Sequence, residues 1–310
     1  MKGARQLRTD RPAEQHVLGG MGLRLLSALA IATMFAGVKW ASQHGAHVVE
    51  TMFYRQIGTA LCAAVWAAAS GGIGQLRTER VWAHVTRMSL STVGMALNFL
   101  AIILLPLAEA TAIGFSVPIF ATLLAALVLG EPTGVWRWSA ILVGFVGVLV
   151  VLQPGSSHIA FEGGLVAIAA ALATATATIV IRKLGATETA ATTVFWFAAS
   201  SLVPLGLAMP FFAGAHDPQV WAVLAGLSVA GGVAQLALTG ALRLAPVALV
   251  MPMDYSSLVW ATLFGLFLFG QLPSPYTWAG APIIVASGLV IVWREQRLRK
   301  TRAVERAMPE

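Results

Sequence analysis

The chain has 310 residues, of which 58% are hydrophobic and only 11% charged, with a mean hydropathy of +0.79. A soluble domain of this length needs far more polar surface, so a water-soluble enzyme or binding module is excluded. The net charge of +7 is no argument for a nucleic-acid partner, because the basic residues gather in the tails and in alternate loops, a distribution that reports membrane topology.

Apolar runs of about 20 residues, each long enough to cross the hydrocarbon core as a helix, recur along the chain. In order they predict ten membrane helices, over 21–41, 48–70, 87–105, 108–129, 137–153, 164–184, 189–213, 219–242, 245–270 and 277–293. Residues 1–20 are polar and basic, and the first apolar run is of spanning rather than signal length, so no cleavable signal is expected. The connections are short, and several carry breakers, among them Pro106, Pro132, Pro154-Gly155, Pro218, Pro273 and Pro275. The single cysteine, Cys62, rules out an internal disulfide and reads as a small hydrophobe within its span.

The basic residues fall on one side of this pattern. Lys2, Arg5, Arg8 and Arg11 precede the first span, and Arg24 stands at its start. Arg77, Arg80 and Arg87 follow the second, Arg137 the fourth, Arg182 and Lys183 the sixth, and Arg243 the eighth. Arg294, Arg297, Arg299, Lys300, Arg302 and Arg306 fill the C-terminal tail. The opposite connections, near His44, Leu107, Ser157, His216 and Ser274, hold none, and only Lys39 and Arg55 break the pattern. By the positive-inside rule the tails, 1–20 and 294–310, are both cytoplasmic.

The stretch Leu104–Trp138 realigns on Leu244–Trp278 at a shift of 140 residues without a gap. The identical pairs include Pro106/Pro246, Ala121/Ala261, Thr122/Thr262, Gly130/Gly270 and Trp138/Trp278, and Phe115 falls opposite Tyr255. Ten spans divide into units of five, 21–153 and 164–293. An odd number of spans per unit turns the second copy upside down in the membrane. The expected fold is therefore an all-α membrane protein, ten transmembrane helices in two inverted-topology five-helix repeats. Such a fold supports alternating access to a site between the repeats.

Residues 106–152 resemble the helix-four and helix-five signature of EamA-type transporters of the drug/metabolite transporter superfamily. The likeness rests on the Glu109–Ala112 entry (Glu-Ala-Thr-Ala), Pro118 in mid-helix, the Gly130-Glu131 turn and the Gly144/Gly147 small-residue face, with Phe53 and Arg55 similar to the family's aromatic-x-Arg. The second half departs from the pattern: Gln271 stands at the acidic turn position and Leu258 at the mid-helix proline. The resemblance covers roughly 21–293. It implies a gradient-driven carrier with a central cavity and no ATPase domain, and the sequence has no Gly-x-x-x-x-Gly-Lys-Ser/Thr loop.

Ionisable groups within hydrocarbon are costly unless paired or facing water, which makes each a candidate site. Asp254, beside Tyr255, Ser256 and Ser257 at mid-depth of the ninth span, can bind a substrate amine or carry a proton; a neutral, hydrogen-bonded structural Asp is the alternative. Arg55 can bind a substrate carboxylate or pair with an acid on another helix, but not directly with Glu50, which lies about 140° away around the same helix. Lys39 reads as snorkelling outward. Glu109 reads as an acid favoured by the helix dipole, with a gating role as the alternative, and Glu131 as a helix cap. Asn98 reads as a cavity residue. Thr174, Thr176 and Thr178 fan across two helix faces and read as bonding back to their own helix. Phe115, Tyr255, Trp196 and Trp260 can wall an aromatic cavity. His44, His47 and Glu50 are spaced by three, but loop histidines are usually solvated, and no metal is assigned. Pro118, Pro204, Pro210 and Pro252 interrupt spans as candidate hinges.

The function expected is secondary transport of a small polar or amphipathic metabolite across the bacterial inner membrane. It works by alternating access, coupled to a proton or to a counter-substrate, with Asp254 and Arg55 as anchors of the site. No cofactor and no nucleic acid are expected; the partners are the substrate and the lipid bilayer, and a homodimer is left open. A lipid-modifying membrane enzyme is the alternative, and a channel or receptor ranks below it. The enzyme needs acids and histidines clustered at one interface, whereas the histidines here are scattered over positions 16, 44, 47, 84, 158 and 216.

Overall fold

The structure, a computed structural model, describes residues 17–70, 72–76, 78, 81–128, 134–153, 161–184, 190–245 and 250–307. The Gly130-Glu131 turn, the Pro154-Gly155 breaker and most of the N-terminal tail lie outside these residues. Hydrocarbon offers no partner for backbone N–H and C=O groups, so an apolar chain closes its hydrogen bonds within helices. The described elements follow that rule: helices and two short 3-10 turns, with no strand among the described residues.

The helices are α1 (Val17–Gln43), α2 (Val48–Ser70), α3 (Val81–Leu104), α4 (Leu107–Gly114), α5 (Val117–Val128), α6 (Val135–Leu152), α7 (Phe161–Leu184), α8 (Ala190–Phe212), α9 (Pro218–Leu244), α10 (Ser256–Phe269) and α11 (Pro275–Ala307), with the 3-10 turns at Ile73–Leu76 and Met251–Tyr255. Eight stretches are long and apolar enough to cross a membrane, one of them running through α4 and α5 together. Outside that set are α2, which carries Glu50, Arg55 and Gln56, and α10, with only 14 residues. The chain is a multi-pass membrane protein.

The helices depart from the expected span bounds in three places. The fourth span is broken into α4 and α5. Pro118 has no N–H to reach back, and its ring crowds the carbonyl four residues earlier. The chain tightens at the break: Ser116 N donates to the Ile113 carbonyl at 2.9 Å, and the Ser116 hydroxyl to the same oxygen at 2.6 Å. The ninth span, expected as one helix over 245–270, starts instead as the 3-10 turn holding Pro252 and Asp254 before α10 begins. Pro204 and Pro210, by contrast, sit inside α8 without ending it. The last helix runs on to Ala307, into the expected tail.

Close packing follows small residues. A Cβ on Gly58 would strike the Ser228 backbone, which sets the approach of α2 to α9. A Cβ on Gly280 would lie 2.7 Å from the Gly147 carbonyl oxygen, and one on Gly147 would lie 3.0 Å from the Ile284 nitrogen. The Gly144/Gly147 face is therefore spent on α6–α11 packing within the monomer. Cys62 packs against Gly232. The main helix pairs are α1 with α9, α3 with α7, α2 with α8 and α9, and α6 with α11. Ser27 Oγ ties α1 to α9 by donating to the Ala234 carbonyl at 2.9 Å, and Ser287 Oγ ties α11 to α6 by donating to Ala140 at 2.6 Å.

Candidate functional site

Where the two broken spans meet the long helices, a cavity of about 320 Å³ opens, a size within the ~300–1,000 Å³ usual for small-molecule sites. Its wall comes from α1, α3, α4, the α4–α5 break, α7 and the segment Asp254–Ser257. Most of the lining is apolar, including Ile31, Phe35, Ile102 and Phe115. Of the residues expected at a site, Asn98, Phe115, Asp254 and Ser257 all line this one cavity.

The Asp254 carboxylate is half-buried and not alone. Its Oδ2 forms an ion pair with Nη2 of Arg24 on α1. Arg24 was expected at the start of the first span, on the charged side of the membrane. It stands instead inside α1, which begins at Val17, and is 5% exposed. Its Nε and Nη1 find no acceptor among the described residues. An unmet donor on a buried group costs about 1–3 kcal/mol, more when it is charged. One signal could have found Arg24: it is an arginine flanked by Leu23, Leu25 and Leu26 in an apolar run. Both members lie near the beginnings of their spans, so the pair sits toward the end of the bundle where α1 begins.

Asn98 Nδ2 donates to the Gly94 carbonyl at 2.9 Å and to Thr174 Oγ1 at 3.0 Å, joining α3 to α7 across the wall. Thr174 thus lines the cavity and is not a back-bonding residue, which corrects one of the three threonine readings. Thr176 and Thr178 do donate to their own helix, to the Leu172 and Thr174 carbonyls at 2.8 Å each. Phe115 and Tyr255, equivalent in the 140-residue echo, meet edge to face at 4.9 Å between ring centroids. Phe115 faces the cavity; Tyr255 stands behind it, its hydroxyl against Gly288 of α11. Trp196 is turned away, its Nε1 donating to the Leu76 carbonyl at 2.7 Å.

Arg55 does not line this cavity. It lies on α2, where Nη1 donates to Gln56 Oε1 at 2.5 Å and approaches Met95 Sδ at 3.4 Å. No carboxylate pairs with it among the described residues, and its Nε has no acceptor. Gln56 is fully buried and donates to Ser201 Oγ of α8. Pro118 and Pro252 are each the second residue of the segments they start, where a missing N–H costs little.

The remaining buried charges hold backbone. Glu50 Oε2 accepts from the His47 amide at 2.7 Å, and its Oε1 accepts from the Gly214 amide at 3.1 Å and lies 2.9 Å from His216 Nε2. It fastens the start of α2 to the α8–α9 connection. Glu109 Oε1 accepts from the Ser274 amide at 3.0 Å and the Thr277 hydroxyl at 3.2 Å, fastening α4 to the start of α11. Lys39 does not snorkel. It is 3% exposed, and Nζ donates to the Ile102 carbonyl at 3.0 Å and the Leu105 carbonyl at 2.5 Å, at the end of α3. A helix C-terminus carries partial negative charge and unmet carbonyls, which an ammonium satisfies. Arg87, expected at the start of the third span, is buried inside α3; Nη1 donates to the Thr193 carbonyl, and the guanidinium lies 5.3 Å from the Phe197 ring centre. His44 stacks on Trp40 and His47 on Phe212, at 3.7 and 4.3 Å.

The chain belongs to the EamA-like transporter family, whose model matches it twice, over residues 18–153 and 162–293. It is a transporter, and the alternative of a lipid-modifying enzyme falls with that match. A riboflavin transporter of Rhizobium johnstonii is 29% identical over 98% of this chain and 100% of its own length. A riboflavin transporter of Vibrio cholerae is 28% identical over 94% and 99%. An S-adenosylmethionine uptake transporter of Rickettsia prowazekii is 29% identical over 73% and 76%. A crystal structure at 22% identity shares the fold, with a TM-score of 0.59 over 90% of this chain and 97% of the other.

Proposed function

We propose that this chain is a secondary carrier that moves a small amphipathic metabolite by alternating access, with the cavity around Arg24 and Asp254 as its substrate site. The observation that carries the reading is the cavity itself. It is polar at one end, enclosed by membrane-spanning helices, and walled by elements of both halves of the chain. Sites between repeats at discontinuous helices are the usual substrate sites of repeat-built carriers.

The ten spans form two inverted units of five in this reading, 21–153 and 164–293. The packing supports it: exchanging each helix for its equivalent turns the α1–α9 pair into the α7–α3 pair and returns α2–α8 and α6–α11 to themselves. Both tails face the cytoplasm of a bacterial inner membrane, and a proton or a counter-substrate drives the cycle. Riboflavin is the first substrate to test, since relatives so named align over nearly the whole chain; S-adenosylmethionine is the second. The experiment is uptake of each labelled compound into vesicles carrying the purified protein, with and without an imposed proton gradient. Riboflavin accumulation that collapses with the gradient supports proton coupling; accumulation driven only by internal riboflavin supports exchange. Movement of neither compound would remove both substrates from the reading.

A further inference from the structure

We propose that Arg24 is the ligand-recognising group of the cavity, that Asp254 is its positioning partner, and that the cavity selects a flat, net-neutral molecule with acceptor atoms along one edge over a cation. This rests on the reading of the cavity as the substrate site.

Arg24 and Asp254 are the only charged residues in the lining among the described residues, and they neutralise each other. An isolated carboxylate at this depth would attract a cation; here its charge is already met by a guanidinium. A cation entering the cavity therefore gains no uncompensated anion and meets the arginine at close range in a medium of low polarity. The guanidinium has the opposite character. It is held at Nη2 by Asp254, and its Nε and Nη1 donors have no acceptor among the described residues. Guanidinium donors form a rigid planar fork, so fixing one nitrogen sets the direction of the others. A ligand carrying carbonyl or ring-nitrogen acceptors supplies what the protein leaves unmet. The rest of the lining suits a planar body: Phe35 and Phe115 give aromatic surface, and alanines at 101, 110, 167 and 170 leave room. Asn98 and Thr174 add a second, uncharged polar point on the α3–α7 wall.

Two fluorescent probes of similar size separate the possibilities: lumichrome, a neutral three-ring imide, and proflavine, a three-ring cation. Their binding to the purified full-length protein in detergent is read by fluorescence anisotropy. Wild type is expected to bind lumichrome about tenfold or more tightly than proflavine. Arg24→Gln leaves Asp254 uncompensated, so lumichrome affinity falls about tenfold and proflavine affinity rises, inverting the selectivity. A residue that merely supported the fold would lower both. Arg24→Lys keeps the charge and the ion pair but loses the fork, and is expected to weaken lumichrome severalfold at an unchanged melting temperature. Asp254→Asn loosens the hold on Arg24 but leaves its positive charge, and is expected to weaken lumichrome severalfold while proflavine is still rejected. Proflavine bound as tightly as lumichrome by wild type, or binding of neither probe, overturns the proposal. Unchanged lumichrome affinity in Arg24→Lys overturns it too, and that variant decides the matter should Arg24→Gln not fold. Arg24-dependent binding without flux in vesicles would leave this inference standing and remove the carrier mechanism; flux indifferent to Arg24 would do the reverse.

Discussion

Buried charged side chains do two kinds of work in this molecule, and the difference lies in their partners. Lys39, Glu50, Glu109 and Arg87 all bind backbone groups of other segments, and for the first three these are groups at helix ends or in connections. Arg24 and Asp254 bind each other and face a cavity. Replacing Lys39 by Met would strand the Ile102 and Leu105 carbonyls. The expected loss is about 1–3 kcal/mol of stability, checked as a lower melting temperature of the purified protein in detergent. Glu109→Gln keeps an acceptor for the Ser274 amide and is expected to cost less, measured the same way. The difference between Lys39 and a snorkelling lysine could not be read from its sequence position. A lysine near a span end looks the same whether it turns to lipid headgroups or across to the end of another helix, and only the placement of α3 decides.

At the scale of elements, the proline-broken spans and the glycine contacts shape the site. The α4–α5 break brings Phe115 to the cavity beside Gly114, and the 3-10 turn at Met251–Tyr255 brings in Asp254. Proline chemistry made both interruptions visible in the sequence, since a missing N–H acts on its own turn wherever the chain goes. That Pro204 and Pro210 leave α8 unbroken was not visible, because packing on neighbouring helices can hold a helix together through a proline. The α6–α11 contact gives a sharp test. Gly280→Leu would drive side-chain atoms into the Gly147 carbonyl and Val151, whose Cγ2 lies 2.6 Å from the added Cβ. The expected cost is about 1–3 kcal/mol, checked by thermal unfolding. Gly22, with open space around its Cβ position, is the control: Gly22→Ala should leave the melting temperature within error.

For the whole molecule, the carrier reading requires the two ends of the bundle to open in turn. Glu109 and Ser274 join α4 to the α10–α11 connection at one end. A cysteine pair at these two positions, in a Cys62→Ala background, is expected to stop substrate flux on oxidation and restore it on reduction. Full flux in the oxidised, cross-linked protein would mean that this end stays closed throughout the cycle. The orientation has its own check: reporters fused after residue 310 and inserted at residue 215 should report opposite sides of the membrane.

Membrane residence, the positions of most helices, the internal echo and the family resemblance were all determined by the sequence alone. Hydrophobicity, proline geometry and glycine spacing act within about 20 residues, so they can be read along a line. Four residues of the candidate cavity, Asn98, Phe115, Asp254 and Ser257, were also legible, because a polar or aromatic group in an apolar run stands out. Tertiary structure alone decided which groups meet. Arg24 and Asp254 belong to opposite ends of the chain and are joined only because α1 packs against the start of α10. Arg55 has the same outward signature and lies apart from them. Charge pairing acts through a few ångströms of space rather than along the chain, so a list of intramembrane charges names the participants and leaves their partners to the packing of the helices.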